Sequence, residues 1–228
     1  MRLVVAVIIA MAYTIIGPTA LRGQTVPSPF RYIEPNMSGG IFGGYLWMDS
    51  GDLDLGPTPA PVFGGRYTLR FTGPLSGEVD LAYSSSERTV YSRVEGDSAD
   101  VVLNEEGTTD AQLVLATAGL RFQVTGARTW HNLAPFLTAG GGIVADISGS
   151  GEVESEIEVA ERVEFGPGFA VALGMGTDWF PTERLSVRLD VRDYLWRITI
   201  PAGFTERGEE ETDWTHNLGL TLGAALHF

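Results

Sequence analysis

The sequence contains no cysteine and no lysine, and beyond its first sixteen residues it has no long apolar run. Without cysteine the chain can form no disulfide and offers no thiolate to a metal ion. Without a stretch of about eighteen apolar residues the rest of the chain cannot cross a membrane as a helix. All 15 basic residues are arginines, and they stand against 29 acidic residues for a net charge of −14, which argues against nucleic acid as a partner.

The first 23 residues are predicted to be a secretory signal peptide that exports the protein. The first two residues supply a positive charge, and an apolar run extends from Leu3 to Ile16. This run is too short for a transmembrane helix and has the flanks of a signal, so we expect cleavage between Ala20 and Gln24. The alternative is a buried N-terminal helix. Residues 24–36, rich in proline and without periodicity, are expected to form a periplasmic lead-in.

The last fifteen residues, WTHNLGLTLGAALHF at 214–228, alternate in character. Apolar side chains take every second position from Trp214 to Phe228, and small or polar side chains take the positions between. Successive strand residues point to opposite faces, so this stretch predicts one strand with an apolar face. Its length suits a tilted membrane crossing of roughly 9–11 residues with an aromatic residue at each end.

Seven earlier segments show the same design with varying clarity. The alternation is clear in the second, third, sixth and seventh segments and at the end of the fourth. Glycines obscure it in the first and fifth, although in the first it favours Ile41, Tyr45 and Trp47 on the outer face. The predicted segments are Met37–Met48, Val62–Thr72, Gly77–Ser86, Ala111–Thr125, Asn132–Ile147, Phe165–Phe180 and Arg184–Ile200.

The connections between these strands alternate between long and short. The four long connections hold the acidic segments 49–54, 87–110, 146–164 and 206–213, whose net charge is −18 within a chain of −14. Outer-membrane barrels have short periplasmic turns and long extracellular loops. The sequence therefore predicts an all-β fold, an eight-stranded antiparallel up-and-down transmembrane β-barrel over residues 37–228. The repeat EVESEIEV inside the third loop predicts an extended hairpin.

Two other architectures share this alternation. A soluble, ligand-carrying barrel would turn its apolar residues inward, and a membrane barrel could have a different number of strands. The aromatic residues at strand ends, the small residues on the polar face and the unequal connections favour the eight-stranded membrane barrel.

The polar face of the strands is predicted to place charged residues inside the barrel. An eight-stranded barrel has room only for side chains, and buried charges are costly without partners. We therefore expect a network of ion pairs that fills the lumen. Its predicted members are Arg66, Arg70, Glu78, Asp80, Arg121, Arg188, Asp190 and Arg192. Trp179, Trp214 and Phe228 are expected to lie in the aromatic girdle at the membrane surfaces.

No arrangement of residues predicts an enzyme, a metal site or a cofactor. The histidines, His131, His216 and His227, are not spaced as metal ligands, which must converge. A hydrolase would need serine, histidine and acid together, but Ser186 lies at the opposite end of the barrel from His216. The acidic loops are interpreted as solvated surface, with divalent cations held by carboxylates as the alternative.

The sequence resembles the outer-membrane β-barrel domain family, in particular the small OmpA-like and OmpW-like barrels. The resemblance is carried by PFLTAGGGI at 135–143, RLSVRLDVRDY at 184–194 and the final strand at 214–228. It implies a protein of the cell outer membrane in contact with lipid and lipopolysaccharide. It also implies insertion by the barrel-assembly machinery, which reads a terminal aromatic strand ending here at Phe228.

These features predict a monomeric protein with a structural or cell-surface interaction role and no cofactor. One alternative is a narrow, porin-like channel in which the internal ion pairs exchange partners, as the OmpA-like resemblance suggests. Another is a porter for small apolar molecules, which the OmpW-like resemblance suggests. The segments 87–110 and 148–164 could also offer hairpin edges to which a partner adds a strand.

Overall fold

The computed structural model describes residues 28–51, 53–94, 102–149, 166–205 and 209–228. The predicted signal peptide and the predicted hairpin in the third acidic loop lie outside these ranges. The described residues contain no helix long and apolar enough to cross a membrane.

Ten strands and one short 3-10 helix, Ala202–Phe204, make up the described structure. The strands are β1 (Phe30–Tyr32), β2 (Met37–Trp47), β3 (Ala60–Thr72), β4 (Leu75–Val94), β5 (Val102–Gln123), β6 (Arg128–Trp130), β7 (Leu133–Asp146), β8 (Gly168–Trp179), β9 (Leu185–Ile200) and β10 (Glu211–His227).

Eight of these strands form a closed barrel, which confirms the predicted fold. Antiparallel neighbours follow the order β2, β3, β4, β5, β7, β8, β9, β10, and β10 then pairs with β2. The closing ladder runs from Leu218 opposite Trp47 to His227 opposite Ser38. Because each strand in the ring has two neighbours, the barrel presents no open edge to lipid.

Side chains alternate between the two faces of the wall, as β10 illustrates. Leu220 and Leu222 are exposed on the outer face, whereas Thr215 and Asn217 are completely buried inside. The outer face is therefore an apolar band of the kind that contacts lipid. This arrangement excludes the soluble barrel with its apolar residues turned inward.

The structure resolves the faces of β2, which its glycines obscure in the sequence. Ile41, Tyr45 and Trp47 are exposed on the outer face, as predicted, and Phe42 and Leu46 are buried inside. Along β2 the alternation between outward and inward side chains is therefore maintained.

Glycine permits a close approach between β5 and β7. A Cβ atom on Gly140 would stand 2.5 Å from the carbonyl oxygen of Ala118 and 2.7 Å from the Cα atom of Gly119. Neither distance is possible for a real side chain, so glycine is required where these two strands meet. Phe136 and Val144 on the same strand are buried inside the barrel.

Strands β4 and β5 are longer than predicted, and the prediction of a loop is wrong for residues 87–94 and 102–110. Their ladder continues from Ser86 opposite Ala111 to Val94 opposite Val102, with one irregularity beside Val90. Polar residues occupy both faces of this hairpin, so the alternation that identifies a half-buried strand is missing. Glu87, Glu105, Glu106 and Asp110 therefore stand on paired strands.

The lead-in contains a strand that the sequence pattern does not predict. β1 pairs with β6, with Phe30 opposite Trp130. β6 lies in the connection between β5 and β7, where the sequence predicts only a tight turn at 126–129. Three residues are too few to show a period, so pattern alone misses both strands. We call the end of the barrel that holds this ribbon and the turns at 73–74 and 180–184 the short-turn end, and the other the acidic end.

Candidate functional site: the barrel interior

Eight charged side chains meet inside the half of the barrel nearest the short-turn end. They are four arginines and four carboxylates, so their charges balance, and none of these side chains is more than 8% exposed. The members of this ion network are Arg66, Arg121, Arg188, Arg192, Glu78, Asp80, Asp178 and Asp190.

The strand register explains why these residues pair. Arg66 on β3 stands opposite Asp80 on β4, and Asp178 on β8 stands opposite Arg188 on β9. Directly opposite residues on one face have Cβ atoms about 4.5–5.5 Å apart. Each pair can therefore form as soon as its two neighbouring strands are in register.

Longer contacts join the local pairs into one network across the lumen. The Nη1 atom of Arg188 donates to Glu78 Oε2 at 2.6 Å, and Arg192 Nη2 donates to Oε1 of the same carboxylate. Arg66 Nη1 donates to Asp190 Oδ2 at 3.0 Å. Asp80, Asp178 and Asp190 thus each bridge two arginines, and Glu78 bridges three.

The structure brings together seven of the eight residues predicted for the lumen, but Arg70 stands apart. Its Nη1 atom donates to the carbonyl oxygen of Ile33 at 2.6 Å. Arg70 lines the same small void as Arg121 and Asp178, but it forms no ion pair within the described residues. It ties the lead-in to the barrel instead.

Asp178 belongs to the network, although the predicted set omits it. Its carboxylate accepts from Arg188 Nε at 2.7 Å and also from Arg121 Nη2. The alternation of β8 does place Asp178 on the inner face. Asp178 is the single charged residue on an inner face of β8 that otherwise consists of glycine and alanine. The sequence around it therefore does not indicate a partner for its carboxylate.

Glycine and an aromatic ring shape the space around the arginines. A Cβ atom on Gly174 would stand 2.6 Å from Arg192 Cγ, so glycine leaves the room that this arginine occupies. The guanidinium carbons of Arg121 and Arg188 lie 4.1 and 4.7 Å from the ring centre of Phe136, within cation–π range. Two voids beside the network measure about 10 and 20 Å³, about the space of one water each.

An apolar layer fills the interior between the ion network and the acidic end, where the sequence predicts small or polar residues. Trp196 is 0% exposed and Leu46 is 1% exposed. Packed side chains in this layer shield the ion pairs from water on that side. The layer is built from Phe42, Leu46, Met48, Val62, Leu113, Leu115, Val144, Trp196 and Ile198.

Residues from the connections close the barrel above this layer. Leu55 of the first long connection and Phe204 of the 3-10 helix are 2% and 4% exposed. They pack with Tyr91 and Leu103 of the β4–β5 hairpin. The segments that carry surface carboxylates therefore also cover the mouth at the acidic end.

Ile33 closes the short-turn end. Its side chain is 5% exposed and packs with Ala134 and Phe180. Its backbone N–H donates to the carbonyl oxygen of Ala127 at 3.0 Å. Together with the hydrogen bond from Arg70, these contacts hold the lead-in across the opening.

The three aromatic residues predicted for the girdle are exposed at opposite ends of the barrel. Trp179 and Phe228 lie near the short-turn end, and Trp214 lies near the acidic end. The guanidinium carbon of Arg197 stands 4.7 Å from the ring centre of Trp214.

Two histidines make side-chain contacts that the sequence analysis does not predict. His216 Nδ1 lies 2.7 Å from Asp193 Oδ2 at an exposed position on the outer face. His227 Nε2 lies 2.8 Å from Ser186 Oγ, because the register sets Ser186 opposite Ala225. The described residues contain no group of three or more histidine, cysteine or acidic residues that could hold a metal ion.

Comparison with known sequences identifies the family. Residues 28–228 match the outer membrane protein beta-barrel domain family. The chain belongs to this family, and the protein is therefore located in the outer membrane. No curated protein matches the sequence.

Solved structures are similar to this chain at low sequence identity. The outer membrane protein OprG from Pseudomonas aeruginosa is 14% identical, with a TM-score of 0.51 over 85% of this chain and 97% of OprG. Neisserial surface protein A is 12% identical, with a TM-score of 0.48 over 88% of this chain and 98% of that protein. At these identities the likeness concerns the fold alone.

The ion network predicts a large cost for removing one of its carboxylates. Asp178→Asn leaves Arg121 and Arg188 as buried charges without a full partner, so we expect the free energy of unfolding to fall by about 3–5 kcal/mol. Asp193→Asn, which breaks the exposed pair with His216, should cost less than about 1 kcal/mol. Urea unfolding of both variants in the same detergent measures the difference, and equal losses would contradict the network's role.

Proposed function

We propose that this protein is a sealed, non-conducting barrel that anchors an acidic surface on the outside of the cell. The observation that carries this proposal is the filled interior. From one end to the other, the described residues place the cover over the mouth, the apolar layer, the ion network and Ile33 in series. Its role is structural and concerns interactions at the cell surface.

The alternative of a narrow channel meets two barriers in this interior. A permeating ion would first have to separate arginines from carboxylates that each bridge at least two of them. Even if the ion pairs exchanged partners, the apolar layer around Trp196 would still block the lumen. Moving an ion through such a layer costs several kcal/mol even after relaxation, so rearrangement of the network alone does not open a path.

The alternative of a porter for apolar molecules requires an apolar space at the acidic end. There Leu55 and Phe204 are themselves buried among neighbouring side chains. The apolar positions at this mouth are thus occupied by the protein's own residues. This packing supports the structural role over the carrier.

A catalytic role is not part of the proposal, although Ser186 and His227 share a short contact. Ser186 is 1% exposed, so its hydroxyl cannot reach a substrate without rearrangement. Among the described residues no carboxylate accepts a hydrogen bond from the ring of His227. A nucleophilic serine needs both access and an oriented base.

The surface part of the proposal is supported by the acidic hairpin. Glu105, Glu106 and Asp110 are exposed on it. Ser92 and Asn104 donate hydrogen bonds to Glu106 at 2.5 and 2.9 Å, which lowers the pKa of that carboxyl below its usual value. A fixed and ionised acidic surface favours cationic partners. We further propose that the barrel is monomeric, contacts lipopolysaccharide and is inserted by the barrel-assembly machinery.

The sealed interior predicts silence in single-channel recordings. Purified protein in planar bilayers should show no current steps across a wide voltage range, because the ion network and the apolar layer block the lumen in series. A channel-forming porin, recorded in the same bilayers, is the control for insertion. Steps whose size changes in Glu78→Gln would establish the narrow channel instead.

The acidic surface predicts salt-dependent binding of cations. An oligolysine peptide should bind proteoliposomes at low ionic strength and be released by salt, because exposed charges are screened. Replacing Glu105, Glu106 and Asp110 with their amides should weaken binding severalfold. The control replaces Glu34 and Glu183, at the short-turn end, in the same way. Equal binding by both variants would refute a role for the hairpin.

A further inference from the structure

A pocket of about 430 Å³ lies between the lead-in and the rim of the barrel at the short-turn end. Its volume is within the range of small-ligand sites, about 300–1,000 Å³. The pocket lies outside the sealed interior, so the proposed function makes no use of it. Its walls come from the lead-in, the β6 strand, the β8–β9 turn and the last two residues of the chain.

A buried hydroxyl without a partner faces this pocket. Thr129 lines the pocket and is 3% exposed, and its Oγ1 atom has no hydrogen-bond partner within the described structure. Its neighbours Arg128 and Trp130 are exposed, so Thr129 alone on β6 points inward. An unsatisfied buried polar group destabilises the folded protein, and a ligand that forms a hydrogen bond with this hydroxyl removes that cost.

Charges of both signs surround the pocket. Arg31 and Arg184 stand beside Glu34 and Glu183, and all four are exposed. Within the described residues, none of their side chains forms an ion pair, in contrast to the charges of the lumen. Guanidinium groups bind phosphate in a fork geometry, and carboxylates accept hydrogen bonds from a primary ammonium. The lining therefore matches a ligand that carries phosphate and ammonium together.

Aromatic residues give the pocket an apolar wall at the depth of the membrane surface. Phe180 is 7% exposed, whereas Tyr32 and Phe228 are 65% and 62% exposed. Exposed aromatic side chains at the rim of a barrel mark the level of the lipid headgroups. The rim at the short-turn end faces the periplasm, so this is the level of the inner leaflet.

We propose that this pocket binds a zwitterionic phosphoethanolamine group, the headgroup of a phospholipid in the inner leaflet. Arg31 and Arg184 hold the phosphate, and Glu34 and Glu183 hold the ammonium. Thr129 donates its hydroxyl to a phosphate or ester oxygen. The acyl chains leave along the aromatic wall. Free phosphoethanolamine carries the same charged groups, but the aromatic wall favours the lipid.

Native mass spectrometry of the protein released from detergent tests the proposal. Phosphatidylethanolamine should be retained at least about fivefold more than phosphatidylglycerol, which lacks the ammonium, and phosphatidylcholine, whose ammonium has no N–H. Thr129→Val should reduce retention about fivefold, the equivalent of one hydrogen bond of about 1 kcal/mol. Arg184→Gln should reduce it further, whereas Arg197→Gln, the same change at the acidic end, should leave it unchanged.

Two outcomes would overturn the proposal: equal retention of the three lipids, or equal retention by the Arg184→Gln and Arg197→Gln variants. Thermal unfolding checks that each variant is folded. If an arginine variant does not fold, Thr129→Val still tests the proposal, because it preserves the shape of the side chain. Competition with soluble phosphoethanolamine distinguishes the two sources. Displacement at equal concentration supports the site but assigns it to the free headgroup, and persistence of the bound lipid supports the lipid.

Discussion

The backbone of a chain that crosses lipid must satisfy its own hydrogen bonds, and the rest of this structure depends on that constraint. Hydrocarbon offers no water to an unpaired N–H or C=O group, so a chain that crosses with strands must close them into a ring. Here the ring closes where β10 pairs with β2. Eight strands enclose only enough space for side chains, and the outer face must be apolar. The inner face therefore has to be filled by the alternate residues of each strand, those that do not face lipid.

Charge balance decides how that interior is filled. Four arginines and four carboxylates can be buried together because each carboxylate bridges at least two arginines. Long arginine side chains fit because facing positions are glycine, as Gly174 shows beside Arg192. Aromatic and aliphatic side chains occupy the remaining cross-section and keep water away from the pairs. The same packing that stabilises the barrel also blocks the path through it. A barrel with a structural role and a sealed lumen therefore has a single physical cause, the filled interior.

Strand alternation alone predicts most of the barrel and of its charged interior, because it determines which face each residue occupies. It places Arg66 and Glu78 inside without any knowledge of their partners. It does not say which partner a side chain reaches, so it does not show that Arg70 donates to the carbonyl oxygen of Ile33 instead of to a carboxylate. Contacts between strands depend on register, and for that reason the pairing of Asp178 and the contact between Ser186 and His227 appear only in the structure. Where the chain leaves the membrane, its strands no longer have one face in lipid, so apolar and polar residues need not alternate. For this reason the sequence pattern does not predict β1, β6 or the outer part of β4.

Bulk water should not reach the ion network in the middle of the lumen, and the absence of cysteine from the sequence allows a direct measurement. Thr117 lies on the inner face of β5, opposite Asp80, and is 6% exposed. A single cysteine introduced as Thr117→Cys can be treated with a small, water-soluble thiol reagent in proteoliposomes, with the exposed site Thr212→Cys as control. The cysteine at position 117 should stay unmodified until the barrel is unfolded, whereas the cysteine at position 212 should react at once. Rapid modification of the lumen cysteine in the folded protein would contradict the sealed barrel.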